Sequence, residues 1–314
     1  MLSLRTRLMS LALAPAVVAG GFAAATVLDR LAAADAATRV ADEVDVVVRL
    51  VAVDSSLTAA RIPYEVESRL ADTGFLAAVP PAVMADVVGA APTPAEWIDR
   101  AAPALDRLPP AARPLSGGDL RRLELGAFGP TAVADELDAI SVALTAGVEA
   151  QLSRLQDHVL ELGVPEVTDP LDELVQWARA YGTAGPRVEA LADIAIAAAE
   201  GEPLTTRALT DLAVRDADFD RAVARLTGLG VDVARRTSAP IDDAVAEVLD
   251  GAIPRAFAES DVMGVARIFL DGITEHRRFN DGVVDASQVL RAAADDLAAG
   301  ARRSAIGVAC WPRS

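Results

Sequence analysis

LMSLALAPAVVAGGFAAATVL, residues Leu8 to Leu28, is the stretch on which the reading of this chain turns. It carries no charge, follows Arg5 and Arg7, and closes abruptly at Asp29 and Arg30. At ~1.5 Å per helical residue it covers roughly the 30 Å of a bilayer's hydrocarbon core. It therefore reads as a membrane-spanning helix, with residues 1–28 as an N-terminal signal anchor. The arginines hold the N-terminus in the cytoplasm by the positive-inside rule, so the body from Asp29 onward is expected outside. That describes a single-pass protein of the cell membrane with an extracytoplasmic body. The alternative is a cleaved signal peptide with Ala23-Ala24-Ala25 as its small-x-small site, which would leave the body secreted. Either way the body is exported.

Composition sets the fold class of that body. The chain has 314 residues, 52% hydrophobic but only 4% aromatic, and alanine supplies much of the apolar total. Alanine is the best helix former, and a core with few rings is built from close helix packing. The expected fold is all-α: an elongated helical bundle over residues 29–305, with a sub-boundary at 108–118. Acidic residues outnumber basic ones by 46 to 29, giving a net charge of −17, and every basic residue is Arg. Such a surface repels phosphate backbones, so nucleic acid is not an expected partner. One cysteine, Cys310, excludes an intramolecular disulfide, and with only His158 and His276 beside it no His/Cys metal site is expected.

Apolar spacing of three and four continues from Leu31 through Val40, Val44, Val47, Val48 and Val51, which predicts one helix from the span to about Leu57 or Arg61, ended by Pro63. A second helix is expected over Glu65 to Ala78, then Pro80-Pro81 and an apolar segment through Val88. Thr93-Pro94-Ala95-Glu96 places a cap, a first-turn proline and a reciprocal glutamate in order, so a helix should run from there to about Arg107. LPPAARPLSGG, Leu108 to Gly118, cannot continue it. A short helix follows at Asp119 to Leu125, then a long one from Thr131 to Leu162. Asp169-Pro170 predicts a helix start running to Tyr181; further helices are expected over Pro186 to Glu200, Leu204 to Leu226 and Pro240 to Asp250. The last helix is expected from Asp261 to Ala305. Three helices are thus long: 29–61, 131–162 and 261–305. After Arg302-Arg303, residues 306–314 read as a truncated apolar tail.

A basic start, an apolar run, a long helical region and a last helix ending in Arg302-Arg303-Ser304-Ala305 resemble the front half of bacterial transmembrane signalling proteins. The texture of LRTRLMSLALAP, of Val46 to Thr58 and of Leu290 to Ala305 is similar to the helical extracytoplasmic input region of diguanylate cyclases and sensor kinases, including those with nitrate/nitrite-sensor-like domains. The resemblance implies a membrane-anchored sensor that binds a small ligand or partner and transmits a helix displacement, with its output domain absent. An exported helical interaction or structural protein is the alternative.

No catalytic motif and no cofactor fingerprint is present: there is no phosphate loop or nucleophile elbow, and Gly228-Leu-Gly230 lacks a third glycine. The chain is not expected to be an enzyme. Asp242-Asp243 and Asp295-Asp296 read as solvated carboxylates, His158 as a surface residue, and Trp97 and Trp177 as packing groups. The cluster Glu275-His276-Arg277-Arg278 is the most specific feature. If the first helix leaves the membrane at Leu28 and the last returns near Ser304, Arg277 stands ~40 Å along, level with about Asp54 or Ser55. An Asp54 to Arg277 or Arg278 pair is expected there. Arg49, Arg61, His276, Arg277 and Arg278 would then converge on a small anion. A homodimer through the first and last long helices is a further expectation.

Overall fold

The computed structural model describes residues 4–70, 93–122, 130–199, 201–233, 236–254 and 262–309. Among them every regular element is helical: α1 (Leu4–Leu70), α2 (Pro94–Asp106), a 3-10 turn (Pro110–Ala112), α3 (Gly117–Arg122), α4 (Pro130–Leu162), α5 (Pro165–Ala199), α6 (Thr206–Gly228), α7 (Ala239–Leu249) and α8 (Val262–Ala309). The all-α expectation holds for these residues.

The membrane span does not. No helix among the described residues is long and apolar enough to cross a membrane, which contradicts the single-pass placement in the cell membrane with a span at Leu8 to Leu28. The run is instead one part of α1, which continues through Asp29 and Arg30 to Leu70 without a break. Seven of its 21 residues are alanine and two are glycine. An alanine methyl removes far less apolar surface from water than a leucine or phenylalanine side chain, so an uncharged run of this length does not by itself establish a span.

Prolines also sit inside helices that their local chemistry predicts them to end. Pro63 does not end α1. Residues 65–70, expected to open a second helix, belong to α1; residues 71–92, with Pro80-Pro81, lie outside the described residues. Likewise α5 is one helix of 35 residues with Pro170 and Pro186 inside it, where two helices were expected. An interior proline forfeits a hydrogen bond and costs roughly 3 kcal/mol. That loss is spread over a helix buried on both sides: Val167 and Leu171 flank Pro170, and Ala184 and Arg187 flank Pro186. Pro165 takes the first-turn position that Pro170 was assigned, directly after Gly163 ends α4 at φ 60°. The long helices are therefore four, α1, α4, α5 and α8.

Other boundaries follow the local chemistry. Thr93 Oγ1 accepts from the Glu96 amide at 3.3 Å while the Glu96 carboxylate accepts from the Thr93 amide at 2.9 Å, so the capping box forms as expected. Thr205 caps α6. Within the 108–118 break a single 3-10 turn forms, and α3 begins at Gly117, two residues before the expected start.

Cross-helix bonds fix directions. Asp45 pairs with Arg291, and Thr38 Oγ1 accepts from Arg302 at 2.9 Å, so α1 and α8 run antiparallel. Asp138 meets Arg61 and His158 meets Glu43, so α4 is antiparallel to α1 as well. Trp177 packs on Phe279 and Tyr181 on His276, which sets α5 antiparallel to α8. Contacts run chiefly along α4–α1, α1–α8 and α8–α5; α4 and α5, though consecutive, pack far less on one another. The principal core gathers Val47, Leu50 and Leu57 of α1, Leu137 and Leu144 of α4, Leu174 and Trp177 of α5, and Phe279 and Leu290 of α8. A separate apolar cluster joins Leu191 and Ile194 of α5 to Leu212 of α6 and Ile241 and Val248 of α7.

Candidate functional site

Helical phase carries a carboxylate into the core. Val47, Leu50, Val51, Leu57 and Arg61 recur at threes and fours on the buried stripe of α1, and Asp54 falls on the same stripe with 4% of its surface exposed. Two hydroxyls solvate it. Tyr181 of α5 donates to Oδ2 at 2.7 Å and Ser141 of α4 donates to Oδ1 at 3.2 Å. Burial raises the Asp54 pKa against the lowering effect of those donors and of the Arg61 charge, and burial together with the Asp54 charge pushes Tyr181 well above its ordinary value. The fourth helix enters through His276 of α8. Its ring lies 4.3 Å from that of Tyr181, and Nε2 stands 3.5 Å from Thr58 Oγ1 on α1. Nδ1 has no hydrogen-bond partner among the described residues. Burial first, then the Arg61 and Arg277 charges, lower this imidazole to about 4, so it is neutral at pH 7. One polar joint thus touches all four long helices.

A cleft of about 320 Å³ opens beside this joint, along the thinly packed α4–α5 seam. Val148 and Leu152 of α4 face Val175 and Ala178 of α5 across it, Tyr181 and Asp54 line it, and Thr145, Ser153, Gln156, Thr183, Glu149 and Arg179 add polar edges. The volume lies at the lower end of small-molecule sites, roughly 300–1,000 Å³, and the mix of apolar walls with a few polar groups is the usual one.

A second buried network sits where the two apolar clusters meet. Arg187 of α5, 2% exposed, donates from Nε to Asp216 of α6 at 2.7 Å and from Nη2 to Asp242 of α7 at 2.6 Å, and its guanidinium lies 4.5 Å from the Phe219 ring centroid. Its Nη1 stands 3.5 Å from the fully buried Glu275 carboxylate of α8. Glu275 also accepts from the Ser238 amide at 2.6 Å, yet burial pushes its pKa up to about 7. Four helices again share one charged joint.

The expected anion site is not assembled. Arg49, Arg277 and Arg278 are exposed, and Arg61 is turned to Asp138, at 2.7 Å, and Glu189. Nor does Asp54 pair with Arg277 or Arg278. Successive helical residues point about 100° apart, so once His276 faces the core Arg277 and Arg278 turn outward. The expected level was nearly right: His276 meets Thr58, one turn from Asp54. His158, read as a surface residue, is half-buried and holds a Glu43 carboxylate oxygen at 2.8 Å. Trp97 and Trp177 are buried packing groups as expected, Trp97 also donating to Ser56 Oγ at 2.9 Å.

Tyr181, Ser141 and Arg187 were not singled out in the sequence. A signal existed for the joint: an aspartate on the inward stripe of an otherwise apolar helix demands a polar partner, and tyrosine occurs only twice in the chain. Among the described residues no group of three or more His, Cys, Asp or Glu could hold a metal ion. No family model, no curated protein and no solved structure matches the chain.

Proposed function

We propose that this chain is a non-enzymatic, ligand-responsive helical module, a sensor-type input unit of the kind its sequence layout resembles. In this reading α1, α4, α5 and α8 form an elongated up-down bundle with three closed seams and one open one, the α4–α5 cleft being the input site. The observation that carries it is the coincidence of that open seam with the Asp54–Tyr181–Ser141 joint, which binds α1, α4 and α5 to one buried charge. A ligand that alters those hydrogen bonds alters how α1 sits against its neighbours. Shifts of ~1–2 Å at helix interfaces are the ordinary size of such signals, and α1 and α8 are continuous enough to carry them over their length.

A homodimer through α1 and α8 belongs to the same proposal. Phe22, Leu28 and Leu31 of α1 and Ile306 of α8 are exposed apolar residues toward one end of this antiparallel pair.

The test is a distance measurement between spin labels at Leu31→Cys and Ile306→Cys, both exposed, in a Cys310→Ser background. Tyr181→Phe, which unties the joint without filling the cleft, should shift or broaden the α1–α8 distance distribution. Val214→Ser, on the exposed face of α6, should not. Identical distributions in both would leave a rigid helical scaffold. That second reading, an interaction protein, is favoured by one observation: the shallow apolar groove of Leu209, Ala213, Val214 and Leu249 on α6 and α7.

A further inference from the structure

We propose that the α4–α5 cleft takes a small organic ammonium ion, its –NH3⁺ against the Asp54 carboxylate and its hydrocarbon body between Val148, Leu152, Val175 and Ala178. This rests on the reading of the cleft as the input site and names the chemistry of what enters it.

Asp54 is the reason. A buried carboxylate ordinarily has a cation against it, because hydroxyls alone replace little of its lost hydration. Here its direct partners are the neutral Tyr181 and Ser141 hydroxyls. Arg61, two turns along the same face of α1, acts on Asp54 through its charge, but its guanidinium is directed at Asp138 and Glu189 and makes no hydrogen bond to Asp54 among the described residues. Each Asp54 oxygen accepts one hydrogen bond and so keeps a lone pair for another donor. An ammonium group supplies up to three N–H donors and the missing charge together.

The rest of the cleft fits the same ligand. Its walls are aliphatic, which suits a short hydrocarbon chain and offers a second charge nothing deep in the site. Glu149 at the edge repeats the sign of Asp54, and a net charge of −17 raises the local concentration of cations around the molecule. A carboxylate or phosphate ligand would instead meet Asp54 at the floor, with only the exposed Arg179 to offset it.

Titration calorimetry on the full chain with n-butylammonium chloride, 1-butanol and sodium butyrate separates the chemistries, since the three share a hydrocarbon body. Butylammonium should bind at one site per chain, roughly tenfold or more tighter than the alcohol or the acid, the ratio expected of a charge-assisted hydrogen bond. Asp54→Asn should abolish that preference. Ser153→Trp, at an exposed position on the cleft edge, should weaken butylammonium binding while leaving Asp54 untouched, and it keeps the test decisive if Asp54→Asn unfolds. Butylammonium binding no tighter than butanol, or binding indifferent to Ser153→Trp, would overturn the proposal. The labels at residues 31 and 306 separate the two readings. If butylammonium binds at the cleft without moving them, the ammonium site stands and the sensor fails. If butanol or butyrate moves them while butylammonium does not bind, the sensor stands and the ammonium site fails.

Discussion

A carboxylate that keeps 4% of its surface and has no cation hydrogen-bonded to it among the described residues depends on its hydroxyl donors, so the Tyr181 oxygen carries more than an ordinary tyrosine hydroxyl would. Hydrogen bonds to charged groups are worth about 1.5–3 kcal/mol. Tyr181→Phe keeps the ring against His276 and removes only that donor, so it should lower unfolding free energy by about that amount in urea titrations. A loss below ~0.5 kcal/mol would mean Asp54 is protonated in the folded state and indifferent to the donor. Packing makes a second demand at single positions. A Cβ placed on Gly282 of α8 would lie 2.4 Å from Trp177 Cε3, whereas one on Gly300 of the same helix meets nothing within 4 Å. Removing a helical glycine gains roughly 0.5–1 kcal/mol, and overpacking a core costs roughly 1–3. Gly300→Ala should therefore raise the urea midpoint and Gly282→Ala should lower it. Equal shifts of the same sign would show that Trp177 can move aside.

On α8, two adjacent residues are buried with opposite preferences, and the element feels both. The folded chain holds the Glu275 proton up to about 7, against an ordinary 4.5, so the stability it contributes is greatest at low pH and is lost as pH rises through about 7. The folded chain keeps His276 neutral down to about 4, against 6.5, so its contribution is present above 6.5 and lost as pH falls through about 4. Each shift corresponds to roughly 3 kcal/mol at full extent, and between pH 4.5 and 6.5 they oppose one another. Glu275→Gln should leave a stability that climbs toward pH 6.5; His276→Gln should leave one that declines with rising pH. The raised pKa of Asp54 is common to all three chains and cancels in the comparison. Urea midpoints from pH 4.5 to 7.5 that run parallel in wild type and both variants would refute this. The same helix shows what sequence can and cannot carry. Its existence and length were plain from Phe279, Val283 and Leu290 at threes and fours, and so were the Thr93 cap and the Pro130–Leu162 helix. Its rotation was not: periodicity placed the level of the 275–278 cluster within a turn but could not say which of four polar neighbours faced inward. Pro63, Pro170 and Pro186 were read as stops because their local cost is visible in sequence and the burial that offsets it is not. Tyr181 escaped for the same reason. Its partner lies 127 residues away, and no local pattern records such a contact.

For the whole molecule, the dominant long-range effect is its charge. With 46 acidic and 29 basic residues, an excess of 17 carboxylates remains even if every arginine is paired. Compaction brings those charges together, so repulsion opposes folding most strongly where the Debye length is long, about 30 Å at 0.01 M salt against about 8 Å at 0.15 M. Salt also weakens exposed pairs such as Arg215–Asp211 and Arg236–Asp285, but these contribute about 0–1 kcal/mol each. Arg61 and Arg187 are themselves buried, so salt screens their pairs less than pairs between two exposed groups, although Asp138 and Asp242 reach the surface. Repulsion relieved should thus exceed attraction lost, and Tm should rise with sodium chloride between about 0.01 M and 0.3 M, most steeply at the low end. Asp157→Asn with Asp296→Asn, two exposed carboxylates on α4 and α8, should raise Tm at low salt and flatten the dependence. If Tm instead falls as salt is added, the cross-helix pairs, Asp45–Arg291 foremost, outweigh the excess charge. In that case Asp45→Asn, and not the neutralisation of residues 157 and 296, would be the change that removes the salt dependence.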